Sequence, residues 1–108
     1  MKNANIFVDV DLTLVDQNQK LIPGVKEALQ KLVDRGCHLF LWSTAGKKHA
    51  EAQASIHGLT ELFEGYAAKP DIVIDDMPGT VLKPFVFNPG EYESPEAMVD
   101  EILEKHVD

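Results

Sequence analysis

The sequence predicts a Rossmann-like, three-layer α/β domain in which helices flank a doubly wound, mostly parallel sheet of four to five strands. Three observations support this prediction. Short apolar runs alternate with segments of helical periodicity, the order strand, helix, strand recurs along the chain, and 108 residues are enough for one hydrophobic core. Since no repeat or break in composition divides the chain, we expect residues 1–108 to form a single domain.

The first strand and helix are predicted over residues 5–35. Residues 5–10 are apolar and β-branched, which is typical of a strand buried on both faces of a parallel sheet. Pro23 suits the first position of a helix that runs to about Arg35, and Gly36 stands where a left-handed C-terminal cap is expected. The apolar positions of this helix recur at helical spacing and are Val25, Ala28, Leu29, Leu32 and Val33.

A second strand is predicted over residues 37–43, from the apolar run CHLFLWS. Thr44 is expected to cap a helix that extends to about His57, and Gly58 stands where that helix would end. Because the apolar residues of this segment alternate, periodicity alone would also fit a strand. The alanine content and Gly58 favour the helix.

The C-terminal part is predicted to complete the sheet and to add a last helix. We expect a short extended piece over residues 65–68, a buried strand over residues 71–76 (DIVIDD), and one more short strand over residues 84–88. Ser94 is expected to cap a final helix that starts at Pro95. The apolar positions of that helix are Ala97, Met98, Ile102 and Leu103.

Charge and cysteine content limit the expected partners and location. The chain carries 18 acidic and 10 basic side chains, and this negative surface repels phosphate backbones, so nucleic acid is not expected as a non-specific partner. The single cysteine, Cys37, lies in an apolar run and is expected to be buried rather than disulfide-bonded. Because no apolar run is long enough to span a bilayer, we expect a cytoplasmic protein without a membrane partner.

Acidic residues end two of the predicted strands. Asp9 and Asp11 point the same way because side chains alternate along a strand, and Asp75 and Asp76 end the run DIVIDD. The carboxyl ends of parallel strands share one edge of the sheet, so up to four carboxylates are expected in one crevice. Such a cluster calls for a cation, and Mg²⁺ prefers carboxylate oxygens. The competing interpretation is that each aspartate only caps a turn or a helix.

The same residues carry a family resemblance. The stretches FVDVDLT (7–13), LFLWST (39–44) and IVIDD (72–76) resemble, in order, the first, second and fourth motifs of the haloacid dehalogenase superfamily of phosphohydrolases. The first motif has the form DxDx[TV], the second is an apolar strand ending in Ser or Thr, and the fourth is an apolar strand ending in paired acids. The resemblance implies a phosphatase that works through a phosphoaspartate and requires Mg²⁺.

The resemblance also implies roles for the four aspartates. Asp9 is implied as the nucleophile that accepts the phosphoryl group, and Asp11 as the acid that protonates the leaving group and then activates water. The implied ligands of Mg²⁺ are the Asp9 side chain, the Asp11 backbone carbonyl and an acid of the fourth motif. We place that acid at Asp76, with Asp75 as its neighbour and alternative.

Hydroxyl side chains near these acids are implied to contact the phosphate. Ser43 ends the second strand just before a predicted helix, where backbone amides also favour an anion. Thr44 is the alternate to Ser43. Thr13, the last residue of the first motif, completes the expected phosphate-binding set.

The third motif of the family is a lysine, and the sequence offers three. Lys69, followed by Pro70, fits the motif in letters. However, only five residues separate Lys69 from Asp75, and if all of them run along one strand, the lysine starts about 20 Å from the catalytic edge. Either the chain around residues 67–71 crosses the top of the sheet, or Lys47 or Lys48 takes the role; we favour Lys69.

The remaining polar residues carry weaker signals. The histidines are scattered, with no pairing that indicates a metal site, and surface or core roles are expected for His38, His49, His57 and His106. Asp16 and Gln17 lie in the loop after the first motif, where contacts with a substrate would be placed.

The expected function is that of a capless, Mg²⁺-dependent phosphatase acting on a small phosphorylated substrate. Larger members of the superfamily insert a cap domain, and this chain has no room for one. A crevice without a cap is open or is covered by a neighbouring subunit, so a homo-oligomer is a hypothesis. Two alternatives stay open: a regulatory module that binds metal or phosphate without turnover, and a receiver domain, which carries its adjacent acids at the first strand, the reverse of the order here.

Overall fold

The computed structural model describes residues 1–76 and 85–108 and contains a parallel sheet flanked by helices. The strands are β1 (Asn5–Asp9), β2 (His38–Ser43) and β3 (Phe63–Ala68), and the helices are α1 (Val25–Asp34), α2 (Lys47–Ile56) and α3 (Pro95–His106). Short 3₁₀ turns cover Thr60–Leu62 and Pro89–Glu91. Within these residues no helix has the length and apolar content needed to cross a membrane.

The sheet has the order β1-β2-β3, and all of its pairs are parallel. Because a helix between consecutive strands returns the chain to the starting edge, the three carboxyl ends lie at one edge. The register places Asp9 opposite Trp42, and Ser43 opposite Ala68. The predicted α/β class and its parallel pairing are therefore confirmed.

The core lies on one side of the strands, where alternate residues are buried. Val8 of β1 and Leu39 and Leu41 of β2 are buried there, whereas Phe7 and Phe40 on the other side are partly exposed and stack on each other. Against the residues that the structure describes, β1 is thus buried on one face, whereas the sequence predicted burial on both. Cys37 is buried as expected, and this burial raises the pKa of its thiol.

Helix α1 begins at Val25, two residues later than predicted, because the intervening Gly24 adopts a left-handed conformation with φ +83°. At the other end Gly36, with φ +88°, ends the helix as expected. Lys31 of α1 forms salt bridges of 3.0 Å and 2.8 Å with Glu96 and Asp100 of α3, which join the two helices at their surface.

The start of α2 also differs from the prediction. Thr44 does not cap it: the chain first makes a turn, in which the Gly46 N–H donates to the Ser43 carbonyl at 3.1 Å, and α2 begins at Lys47. Gly46 has φ +109°, a conformation that favours glycine. By contrast, Ser94 caps α3 as predicted, and its hydroxyl accepts a hydrogen bond from the Ala97 N–H at 3.1 Å.

The predicted strand over residues 71–76 is not formed. Pro70 offers no N–H to a neighbouring strand and the chain bends at Asp71, so the chain leaves the sheet after β3. Ile72 and Ile74 are 82% and 97% exposed as a result. The strand predicted over residues 84–88 is likewise absent from its described part, residues 85–88, while Pro84 lies outside the described residues.

Candidate active site at the carboxyl edge of the sheet

The carboxyl ends of the three strands bring together one polar residue from each. Asp9 is the last residue of β1, Ser43 is the last residue of β2, and Lys69 follows β3 directly. The Lys69 backbone N–H donates to the Ser43 carbonyl at 3.0 Å, which extends the pairing of β2 and β3 by one hydrogen bond. The backbone of Lys69 is therefore fixed next to the end of β2.

Asp9 and Lys69 form a salt bridge across the sheet edge. The distance from Lys69 Nζ to Asp9 Oδ1 is 3.2 Å, and the two side chains are 33% and 35% exposed, so a solute can reach them. The Lys69 Nζ also lies 6.0 Å from the centre of the Trp42 ring, which packs on Phe7. Trp42 thus supports the lysine from the exposed face of the sheet.

This position of Lys69 removes the obstacle that its spacing had raised. Its spacing from Asp75 puts Lys69 far from the carboxyl edge of the sheet only if residues 71–76 run toward that edge as a strand. Instead, β3 ends at Ala68, so Lys69 already lies at the edge where Asp9 ends β1. The two other lysines are exposed on α2, where Lys47 lies 3.8 Å from Glu51, one helical turn away.

The loop after Asp9 is held tightly to the core. The Val10 carbonyl accepts hydrogen bonds from the N–H groups of Leu14, at 2.9 Å, and of Val15, at 3.1 Å, and both side chains are fully buried. Leu12 adopts a positive φ of +63° within this turn, and its N–H donates to the Val15 carbonyl at 2.8 Å. Asp11 and Thr13 therefore lie on a loop whose path is set by the core.

The Asp11 carboxylate has a hydrogen bond at one oxygen and a histidine nitrogen close to the other. The Gln19 side-chain amide donates to Asp11 Oδ1 at 3.0 Å, and His49 Nε2 lies 3.6 Å from Asp11 Oδ2. His49 is in the first turn of α2, and its Nε2 is buried without a hydrogen-bond partner among the described residues. The histidine pattern in the sequence predicted no such role, so this contact was missed.

A sequence signal that could have identified His49 is its position in the chain. The residue lies six positions after Ser43, inside the helix that follows the second motif, and the first turn of that helix faces the edge where the site was expected. Gln19 carried no comparable signal, because its approach to Asp11 depends on a loop conformation rather than on a periodic element.

The expected phosphate ligands differ in accessibility. The side chain of Ser43 is 1% exposed, and its hydroxyl accepts a hydrogen bond from the Ala45 N–H at 3.0 Å, which leaves the hydroxyl proton as a donor. Thr44 is exposed and Thr13 is partly buried. The start of α2, at Lys47, directs further backbone N–H groups toward this side of the sheet.

Asp16 supports the loop rather than facing a ligand. Its carboxylate accepts hydrogen bonds from the N–H groups of Asn18, at 2.8 Å, and of Lys20, at 3.0 Å. The Gln19 N–H also donates to the Asp16 carbonyl at 3.0 Å, which closes the turn. Asp16 is therefore used in a side-chain-to-backbone turn, whereas Gln17 is exposed.

The donor atoms at the end of β1 suit Mg²⁺, but the full expected ligand set is not assembled. The Asp9 carboxylate and the Asp11 backbone carbonyl are oxygen donors of the kind that Mg²⁺ prefers. Within residues 1–76 and 85–108, no three His, Cys, Asp or Glu side chains form a group that could hold a metal ion. Asp75 and Asp76 are exposed and lie outside the sheet.

No protein-family model matches the chain, and no curated protein was found that matches it. The chemistry of the site is therefore inferred from its own residues. A carboxylate beside an ammonium group, at an edge where a helix also begins, can attract an anion and hold it close to a nucleophilic oxygen.

Proposed function

We propose that the protein is a Mg²⁺-dependent phosphatase of the haloacid dehalogenase superfamily, which hydrolyses a small phosphate monoester through a phosphoaspartate at Asp9. One observation carries the proposal: the third-motif lysine, whose reach was in doubt, has its Nζ 3.2 Å from the Asp9 Oδ1 atom. Asp9 and Lys69 were assigned to the first and third motifs separately. Their contact supports the proposal, because this chemistry needs a cation beside the nucleophile.

In the first half of the reaction, an oxygen of the Asp9 carboxylate attacks the phosphorus atom. The bond between phosphorus and the leaving-group oxygen breaks, and Asp11 gives that oxygen a proton. Lys69 balances negative charge on the transferred phosphoryl group, and the Ser43 hydroxyl donates a hydrogen bond to a phosphoryl oxygen. The site contacts in support are those of Lys69 with Asp9 and of Ser43 with the Ala45 amide.

In the second half, a water molecule attacks the phosphorus of the phosphoaspartate and loses its proton to Asp11. The bond between phosphorus and the Asp9 oxygen breaks, so inorganic phosphate and a free Asp9 carboxylate are formed. Asp11 begins and ends the cycle with the same proton count, because the proton it takes from water replaces the one it gave to the leaving group.

Mg²⁺ is part of this proposal. The residues that would hold it are Asp9, through its carboxylate, Asp11, through its backbone carbonyl, and Asp76 or Asp75. When bound, it offsets the repulsion between the anionic nucleophile and the phosphate. Thr13 and Thr44 complete the proposed phosphate-binding set around Ser43.

The proposed fold that accompanies this function is a doubly wound, mostly parallel sheet of four to five strands without a cap domain. Within the described residues, β1 is paired on one side, by β2, and Ile72 and Ile74 are apolar at alternate positions. Only the last residues of 71–76 can pair with the outer edge of β1 while Lys69 stays beside Asp9, and that pairing would bring Asp75 and Asp76 to the end of β1. We place the enzyme in the cytoplasm and propose an open crevice or one covered by a second copy.

The proposal is tested by assaying hydrolysis of p-nitrophenyl phosphate by the purified protein. We expect multiple turnover with Mg²⁺, loss of turnover with EDTA, and loss in Asp9→Asn. Asp34→Asn is a matched control, because Asp34 ends α1 and its carboxylate binds the Gln30 side chain, away from the site. Metal-independent turnover, or an active Asp9→Asn, would refute the mechanism, and phosphate binding without turnover would instead support the regulatory module.

A further inference from the structure

The Asp11 carboxylate is contacted from two different parts of the molecule. Gln19, in the loop after β1, donates to Oδ1 at 3.0 Å, while His49, from α2, lies 3.6 Å from Oδ2. Each of the two oxygens therefore faces a nitrogen, and the two nitrogens come from elements that are packed independently against the core. An exposed aspartate on a surface loop would ordinarily sample several rotamers.

The loop that carries Gln19 has a defined shape. Gln19 has φ +61°, an uncommon conformation for a residue other than glycine. The turn is closed by the Asp16 N–H, which donates to the Lys20 carbonyl at 2.8 Å, and by the Asp16 carboxylate, which accepts from the Lys20 N–H. Residues 14 and 15 anchor the same loop in the core. The strained turn thus presents Gln19 toward Asp11.

The position of His49 is fixed by α2. Ala50 and Ala54 of this helix are fully buried against the sheet, and His49 is in the first turn beside them. Its side chain is 28% exposed, yet the Nε2 atom is buried. A buried ring nitrogen without a hydrogen-bond partner is costly, and a small movement of the Asp11 Oδ2 atom, 3.6 Å away, would bring an acceptor within hydrogen-bond distance.

We propose that Gln19 and His49 are positioning residues, which hold the Asp11 carboxylate between them so that it is aligned for proton transfer to the leaving group. This inference rests on the proposed phosphatase function. Among the residues that the structure describes, neither Gln19 nor His49 forms a hydrogen bond or ion pair with Asp9 or Lys69, so they act on the reaction through Asp11. A general acid works only at hydrogen-bond distance from its acceptor, and misalignment reduces the rate steeply.

The proposal predicts a dependence on the leaving group. p-Nitrophenolate departs readily without a proton, whereas an alkoxide needs one, so a misaligned Asp11 harms alkyl phosphates more than p-nitrophenyl phosphate. We expect Gln19→Ala and His49→Ala to lower kcat/KM for an alkyl phosphate at least about tenfold more than for p-nitrophenyl phosphate. Asp11→Asn should show the same bias more strongly.

Two control variants match these substitutions in chemistry. Gln30→Ala removes a glutamine amide that donates to Asp34 at 2.9 Å, and His38→Ala removes a histidine at the opposite end of β2, in contact with Glu64. Both should keep the wild-type ratio of the two kcat/KM values. Because Gln19 and His49 serve the same carboxylate, the losses in the double variant should be less than multiplicative.

A second readout does not depend on activity. In an NMR spectrum of the amide groups, Asp11→Ala should shift the side-chain NH₂ signals of Gln19, and those of Gln30 should stay in place.

His49→Gln keeps a side-chain donor at the same position and should restore part of the lost kcat/KM for the alkyl phosphate.

The outcomes separate this inference from the proposed function. An active wild type whose Gln19→Ala and His49→Ala variants lose equal factors on both substrates would overturn the positioning role and leave the phosphatase intact. Unmoved Gln19 signals in Asp11→Ala would overturn it as well. A wild type that hydrolyses neither substrate would refute the phosphatase, and the positioning role would fall with it.

Discussion

Two stretches of this chain end in aspartates after an apolar run, and the structure treats them differently. Residues 5–9 form β1, whose pairing with β2 brings Asp9 to the sheet edge beside Lys69. Residues 71–76 form no strand, and Ile74 within them is 97% exposed. The two runs are similar in letters, so composition alone does not decide which one enters the sheet.

The two runs differ in the residues next to them. After β1, the buried side chains of Leu14 and Val15 tie the next turn to the core, so the end of the strand is fixed from both sides. Residues 71–76 instead follow Pro70 and a bend at Asp71. In this chain the run that forms a strand is the one whose following turn is tied to the core.

The largest expected effect tests this contrast in stability. Leu41→Ala, in the middle of β2, should lower the free energy of unfolding by about 2–5 kcal/mol, because the side chain is fully buried. Ile74→Ala should change it by less than about 0.5 kcal/mol, because the side chain is exposed. Urea denaturation of the metal-free protein measures both.

An Ile74→Ala loss comparable to that of Leu41→Ala would show that residues 71–76 are packed in solution, and the contrast between the two stretches would then be wrong. Repeating the measurement with Mg²⁺ and orthovanadate, an analogue of phosphate, sharpens the comparison. If the end of this segment pairs with β1 in the loaded state, the cost of Ile74→Ala should rise there.

The next effect concerns the Asp9–Lys69 pair at the carboxyl edge of the sheet. In the proposed mechanism Lys69→Ala should lower kcat about 10²–10³-fold, since it removes the cation proposed to face the transferred phosphoryl group. Stability should fall by no more than about 1 kcal/mol, because the Asp9–Lys69 pair is one-third exposed. Lys47→Ala is the matched control and should retain wild-type kcat; the reverse result would move the third-motif role to α2.

Much of the fold was predictable because local signals and burial agreed. The strands near residues 5–10 and 37–43, the Gly36 and Gly58 stops and the Ser94 cap all follow from periodicity and capping chemistry, and the structure has them. Where Gly24 and Gly46 adopt positive φ, the helices begin later than predicted, because a glycine permits a turn that the sequence pattern does not require.

The site was only partly predictable. Asp9 and Ser43 could be placed because they end strands, whereas the reach of Lys69 depended on where β3 ends and where the chain turns. Gln19 reaches Asp11 because its loop has an uncommon backbone conformation. His49 approaches Asp11 because of the face of α2 on which it lies. Neither property is encoded in a short motif.

The smallest expected effect concerns the contact between Tyr92 and α3. The Tyr92 hydroxyl donates a hydrogen bond to Glu101 of α3, and this bond raises the pKa of Tyr92 to about 12. Because the pKa is raised in the folded state, the stabilisation is complete below the ordinary value of 10.0 and is lost as the pH rises toward 12. The difference in unfolding free energy between wild type and Tyr92→Phe should therefore shrink over that interval.

Chemical denaturation near pH 8 and near pH 11 measures this change. The matched background is Glu101→Gln, in which the carboxylate that raises the pKa is absent, so Tyr92→Phe should show a much weaker pH dependence. An equal dependence in both backgrounds would assign the effect to another group.

Trapping the covalent intermediate tests the central claim most directly. Protein turning over p-nitrophenyl phosphate with Mg²⁺ is quenched with borohydride, which reduces an acyl phosphate to the alcohol, and the modified residue is identified by peptide mass spectrometry. The account predicts reduction at Asp9 in the wild type, dependent on substrate and absent from Asp9→Asn. Reduction at Asp11, or steady hydrolysis with no reduced aspartate at position 9, would contradict it.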